Sequence, residues 1–150
     1  MAAALMTAGC SSSTDAAPPA SAPASAAPSA ATARPSATEI SAFCLNLSTF
    51  QVGVIAYSAE VGAAIEGQPL DFKELRRKAA LIADTGEPMR ASAPSDIAEE
   101  FRTVLKAIDT SASNLRSGAK ARDVVDPVYG ERNRPAFDAV NDYDCGAADG

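Results

Sequence analysis

From Phe43 to Ala64, apolar side chains recur at alternating steps of four and three residues, which is the spacing of a heptad repeat. Side chains at this spacing share one face of an α-helix. The pattern predicts a helix over about residues 38–66 that ends at Gly67, since glycine suits the left-handed backbone of a helix end. The face consists of Phe43, Leu47, Phe50, Val54, Tyr57, Val61 and Ala64.

Small residues fill the other faces of this helix, which carries no Lys or Arg. Because small flanks suit contacts on two sides, we predict that it is the central helix of a bundle. Asn46, Gln51 and Glu60 interrupt its apolar runs well short of the roughly 20 residues that a membrane-spanning helix needs. Ser36 and Glu39 have the spacing of a capping box at its start.

A second helix is predicted over residues 71–85. Asp71 and Glu74 form a capping box at its start, and Gly86 and Pro88 are expected to end it. Its core face holds Phe72, Leu75, Ala79 and Ile82.

The second helix also carries the basic run Arg76, Arg77 and Lys78. Acidic residues surround this run at helical spacing. We therefore interpret it as a solvated face rather than a ligand patch.

A third helix is predicted over residues 94–117, with Pro94 in its first turn and Gly118 at its end. Asp96 and Glu99 repeat the capping-box spacing. Its apolar face comprises Ile97, Phe101, Val104, Ile108 and Leu115.

Residues 119–132 show no helical face, so we expect a loop that packs over the end of the bundle. A short fourth helix is predicted over residues 134–145, with Pro135 in its first turn. Its core candidates are Phe137, Val140 and Tyr143.

These elements predict an all-α domain over residues 38–150, a small up-down-up-down four-helix bundle. Cys44 lies one turn into the first helix and Cys145 at the end of the fourth, and in such a bundle these two positions share an end. We therefore predict a Cys44–Cys145 disulfide that closes the bundle. Two buried free thiols are the alternative.

Residues 11–37 are nearly all Ala, Ser, Thr and Pro. Without large apolar side chains this stretch cannot build a core, and its prolines favour extended conformations, so we expect a disordered linker. At about 3.1 Å per residue it can reach roughly 80 Å.

A short apolar run, Ala2 to Ala8, precedes Cys10 and ends in small residues. The segment Thr7-Ala8-Gly9-Cys10 resembles the lipobox of bacterial lipoproteins, and the Ala/Pro-rich spacer is similar to those of small actinobacterial members. The resemblance implies that residues 1–9 are the end of a cleaved signal peptide and that Cys10 carries a lipid such as palmitate. A chance Ala-rich N-terminus with a free cysteine is the alternative.

The composition excludes several kinds of site. The chain contains no His, so a His-based catalytic triad and the usual mixed-ligand zinc site are ruled out. A net charge of −6 without a basic cluster argues against nucleic-acid binding. The acidic residues Asp138, Asp142, Asp144 and Asp149 match no calcium-binding loop, so we expect no metal site. We also expect no cofactor and no catalytic residue.

The sequence therefore favours a non-catalytic lipoprotein, anchored on the extracytoplasmic face of the cell membrane through Cys10. Its domain is expected to bind an envelope protein or a small apolar ligand. The alternative is an accessory subunit of an enzyme or transport system, or an enzyme that uses carboxylates alone.

Overall fold

The computed structural model describes residues 37–147, apart from the side chains of Ala37, Glu39 to Ser41 and Ala147. This part of the chain is all-helical, and it contains no strand. It comprises α1 (Ala37–Ala63), α2 (Phe72–Met89), α3 (Ala98–Ser113), α4 (Ala121–Tyr129), α5 (Arg134–Asp142) and a short 3-10 helix (Cys145–Ala147).

The heptad face of α1 forms the centre of the core. From Phe43 to Val61 each predicted residue of this face is buried, whereas Ala64 lies just beyond the helix and is half-buried. Phe101 of α3 packs against two of them, with ring centroids 5.2 Å from Phe43 and 4.7 Å from Phe50. α1 ends at Ala63 rather than at residue 66, and a turn leads from it to Gly67, which has the predicted left-handed conformation with a φ of 78°.

The start of α2 confirms the predicted cap, because the Asp71 carboxylate accepts hydrogen bonds from the backbone N–H groups of Lys73 and Glu74, each at 3.0 Å. The predicted end at residue 85 is wrong. α2 continues through Gly86 and Pro88 to Met89. Gly86 is buried within the helix, and it allows close packing of α2 against its neighbours instead of ending it.

The third helix is shorter than predicted at both ends, and it ends at Ser113 rather than at residue 117 before Gly118. Residues Pro94 to Ile97 form a turn, and α3 starts with Ile97 as a cap that makes no side-chain bond. The predicted capping box of Asp96 is therefore wrong. The Asp96 carboxylate instead accepts a hydrogen bond from the hydroxyl of Tyr143, 3.3 Å away.

The loop predicted over residues 119–132 is also wrong, because α4 occupies most of it and raises the number of α-helices in the described residues to five. Two valines one turn apart, Val124 and Val128, are buried against the core. The Asn114 side chain at the end of α3 donates a hydrogen bond of 2.9 Å to the backbone carbonyl of Asp123. Contacts from outside the segment thus hold this helix in place.

α5 begins with Pro135 in its first turn, as predicted, and ends at Asp142 rather than at residue 145. Phe137 and Val140 are buried, and Tyr143 is half-buried against the core. The end of α5 packs beside α1, where the side-chain amide of Gln51 lies 2.8 Å from the Val140 carbonyl oxygen.

Candidate interaction surface

The predicted lipidation site, Cys10, lies outside the described residues, as do the signal-like segment, most of the linker, Ser36 and Asp149. Their roles stay predictions.

The other two cysteines are brought together as predicted. The sulfur atoms of Cys44 and Cys145 are 2.06 Å apart and their Cα atoms 5.9 Å apart, across 101 positions of sequence. Both residues are half-buried and pack against the core. The pair joins the first turns of α1 to the end of the domain.

The basic run of α2 is used for contacts within the domain. The Arg77 Nε donates a hydrogen bond of 3.0 Å to Glu74, and this bond is the main reason that the pKa of the Glu74 carboxyl is lowered. Arg76 donates to the backbone carbonyl of Leu115, and Lys78 pairs with Glu60 of α1. The predicted solvated face therefore holds for Arg76 and Arg77, which are exposed, whereas Lys78 is partly buried. Arg76 and Lys78 also join α2 to neighbouring elements.

Grooves lie between the helices of the described residues, and two of them border α3. The larger, of about 960 Å³, is open and runs between α3 and the α4–α5 segment, where Lys106 and Arg132 stand beside Asp123, Asp126 and Glu131. The smaller, of about 210 Å³, lies between α2 and α3 and is lined largely by alanines and by Ile82, Leu105 and Ile108. Drug-sized ligands occupy sites of about 300 to 1,000 Å³, so the smaller groove fits only a very small apolar molecule.

The acidic residues do not form a metal site in the described part of the chain. No group of three or more Asp, Glu or Cys side chains there is arranged to hold an ion. Asp138, Asp142 and Asp144 belong to no such group.

The most distinctive surface is the outer side of α1. Between Ala42 and Ala59 the sequence contains no charged residue, although the chain is 21% charged. Leu45 is 81% exposed, Val52 66% and Ile55 54%, which is unusual for large apolar side chains. We call this surface the α1 face, and it consists of Leu45, Ser48, Thr49, Val52, Ile55, Ala56 and Ala59.

Large apolar side chains are also exposed on other elements. Leu81 of α2 is 53% exposed and precedes Ile82, whose side chain packs on Gly53. Tyr129 of α4 is 42% exposed and donates a hydrogen bond of 2.7 Å to the Ser58 carbonyl. Of the six large apolar residues that the described structure exposes, three lie on α1, Ile65 lies in the turn after it, and Tyr129 contacts it. Apolar patches of this kind mark interaction sites in soluble domains.

We predicted contacts on both flanks of α1 from the sequence, but we did not predict its exposed outer side. The flanks do contact α2 on one side and α4 and α5 on the other. The signal in the sequence for this outer side was the stretch without charged residues, which includes the helix face opposite the heptad residues.

By length and composition, Ala42–Ala63 is also apolar enough to cross a membrane, a test that core helices of soluble proteins pass as well. In the structure its polar side chains serve the domain. Gln51 binds carbonyls at the end of α5, and Glu60 pairs with Lys78.

A buried polar chain lies on the opposite, inner side of α1. The Tyr57 hydroxyl donates a hydrogen bond of 2.9 Å to Ser111 Oγ, which donates one of 2.6 Å to the Val124 carbonyl. Tyr57 and Ser111 are fully buried. Burial raises the pKa of Tyr57, and the hydrogen bond with Ser111 opposes part of that rise. The chain links α1, α3 and α4, and we assign it a structural role.

Comparison with known proteins finds no family model, curated protein or solved structure that matches this chain.

Proposed function

We propose that this protein is a non-catalytic cell-envelope lipoprotein, held at the extracytoplasmic face of the membrane by a lipid on Cys10. Its helical domain acts as an interaction module through the α1 face. The observation that supports the interaction role is a run of exposed apolar side chains on the uncharged Ala42–Ala59 stretch of α1, in a chain of net charge −6.

The anchor is supported by the lipobox-like Thr7-Ala8-Gly9-Cys10 and by the linker that follows it. A disulfide between Cys44 and Cys145 suits the oxidising conditions outside the cytoplasm.

The fold that we propose for this module is a disulfide-closed up-down bundle. α1, α2 and α3 take three positions and α4 with α5 share the fourth. Support comes from the neighbours in contact, since α1 packs on α2, α2 on α3, and α3 on both α4 and α5. The Gln51 contact with the end of α5 closes the arrangement.

The anchor is tested by comparing the native protein with a Cys10→Ala variant in the cells that produce it. We expect the native form to partition into detergent and to start, in its intact mass, at a diacylated Cys10. The variant should partition into the aqueous phase, whereas Ser11→Ala should behave as the native form. An unmodified Cys10 or identical partitioning of both forms would contradict the anchor.

The interaction module is tested by placing a photo-crosslinking residue at position 52 and, as a control, at the exposed position 113 in intact cells. We expect a defined crosslinked product from Val52 and none from Ser113. Identification of the product by mass spectrometry gives the partner. Equal labelling at the two positions would count against an interaction role for the α1 face.

A further inference from the structure

We propose that the α1 face is self-complementary, and that it binds a second copy of this chain with the two α1 helices antiparallel about a two-fold axis at Val52. This inference deepens the proposed function, because it names the partner of the α1 face.

The first argument is electrostatic. The residues after Arg34 carry the whole net charge of −6, since Asp15 and Arg34 cancel. Two acidic copies repel each other over most of their surfaces. The stretch from Ala42 to Ala59 is free of charge, so two copies can approach there without bringing like charges together.

The second argument is the distribution of large and small side chains. When two α1 helices run antiparallel about Val52, Leu45 of one copy lies opposite Ala59 of the other. Ile55 then lies opposite Ser48, and Thr49 opposite Ala56. Leu45 and Ile55 thus each meet a small side chain, which is the pattern that lets facing helices interdigitate, and Val52 meets its own copy at the axis. A parallel pair would instead place Leu45 against Leu45 and Ile55 against Ile55.

The third argument concerns size. From Leu45 to Ala59 the face is about 20 Å long at 1.5 Å per residue, and a single helix face is about 10 Å wide. Even with Tyr129 beside it, such a face buries less than the roughly 1,200 Å² in total of stable specific interfaces, so the dimer is weak in dilute solution. Tethering both copies to one membrane would raise their local concentration, and a linker with the predicted reach of roughly 80 Å would let both anchors reach the same surface.

A membrane surface suits the α1 face less well. Helices that lie in the membrane interface carry Lys and Arg along their polar side, and α1 carries none.

The association is tested with the full-length chain carrying Cys10→Ser, which removes the lipid and the third thiol. Sedimentation equilibrium up to a few hundred micromolar should show a reversible dimer. Val52→Lys should weaken the dimer at least tenfold, because two lysines would meet at the axis, whereas Ser113→Lys should leave it unchanged. Both variants should keep the native melting temperature, since Val52 is 66% exposed.

The orientation is tested by mixing one preparation that carries Thr49→Cys with another that carries Ala56→Cys under mild oxidation. The antiparallel pair predicts a 49–56 disulfide between chains in peptide mapping, and Ser113→Cys should give none. A dominant 49–49 product would overturn the antiparallel arrangement.

A monomer at all concentrations without crosslinks would overturn the proposal entirely. So would Val52-dependent binding of the monomer to phosphatidylcholine vesicles, because that result assigns the face to lipid. The Cys10→Ser variant carries no lipid. Absence of the dimer in this variant would therefore say nothing about whether Cys10 anchors the native protein.

Discussion

The side-chain amide nitrogen of Gln51, in the middle of α1, lies 2.8 Å from the backbone carbonyl oxygen of Val140, near the end of α5. The carbonyls of Asn141 and Tyr143 are within hydrogen-bond distance of the same nitrogen, at 3.2 and 3.1 Å. One side chain of α1 thus satisfies carbonyl groups that the end of α5 leaves without helical partners.

Replacing Gln51 with Glu should destabilise the domain by about 2 to 3 kcal/mol, because a carboxylate would face these carbonyls and leave them unpaired. Urea unfolding at pH 7 measures the effect. Asn46→Asp is the matched control, since the Asn46 side chain donates to the Ala42 carbonyl within its own helix. Equal losses for the two variants would show that the contact with α5 contributes nothing.

Removing the Cys44–Cys145 pair by a double substitution to Ser should cost at most roughly 4 to 5 kcal/mol, the chain-entropy value for a loop of about 100 residues. Urea unfolding of the double variant checks this value. Alkylation of the native, non-reduced domain followed by intact mass should find neither cysteine labelled. Two labelled domain cysteines would show free thiols instead.

Gly86→Ala should destabilise the domain by about 1 to 2 kcal/mol, although alanine is the better helix former. A Cβ at this position would lie 2.6 Å from the Leu105 side chain and 2.7 Å from the Phe50 ring. The Phe50 ring also packs on Phe101, with centroids 4.7 Å apart, so moving it would disturb a second core contact. Thermal unfolding measures the loss. Gly53→Ala is the control, because its nearest neighbour, Ile82, is 3.1 Å away, and its stability should stay near the native value.

Ser111→Ala should cost about 1 to 3 kcal/mol, since it leaves both the Tyr57 hydroxyl and the Val124 carbonyl unpaired in the core. Tyr57→Phe should cost less, because Ser111 keeps its bond to Val124. A double-mutant cycle by urea unfolding should give a positive coupling between the two positions. Additive losses would mean that the chain of hydrogen bonds contributes no coupling energy.

The raised pKa of Tyr57 also predicts a pH dependence. Because the folded protein holds this proton more tightly than the unfolded chain does, the contribution to stability is complete below the ordinary tyrosine value of 10.0. It is lost as the pH rises through the folded pKa. The free energy of unfolding should therefore fall above about pH 10, and Tyr57→Phe should flatten that fall. An unchanged slope in the variant would assign the alkaline loss to other groups.

Local patterns predicted the parts of the fold that depend on neighbours in sequence. The heptad spacing identified Phe43, Phe50 and Tyr57 as core residues, and all three are buried. The Asp71 cap was predicted because a capping box needs residues only three positions apart. The cysteine pairing followed from counting helices, and α4 did not disturb it, because α5 still returns to the start of α1.

Tertiary structure decided what local patterns could not. A nine-residue helix is marginal in isolation, so α4 forms because Val124 and Val128 reach a core built by other helices. Gly86 resembles a helix end in sequence, yet it is placed inside α2 by the approach of Phe50 and Leu105. The α1 face was also identified only from the tertiary structure. Periodicity shows which side of a helix is apolar, whereas the packing of neighbouring helices shows which side stays exposed.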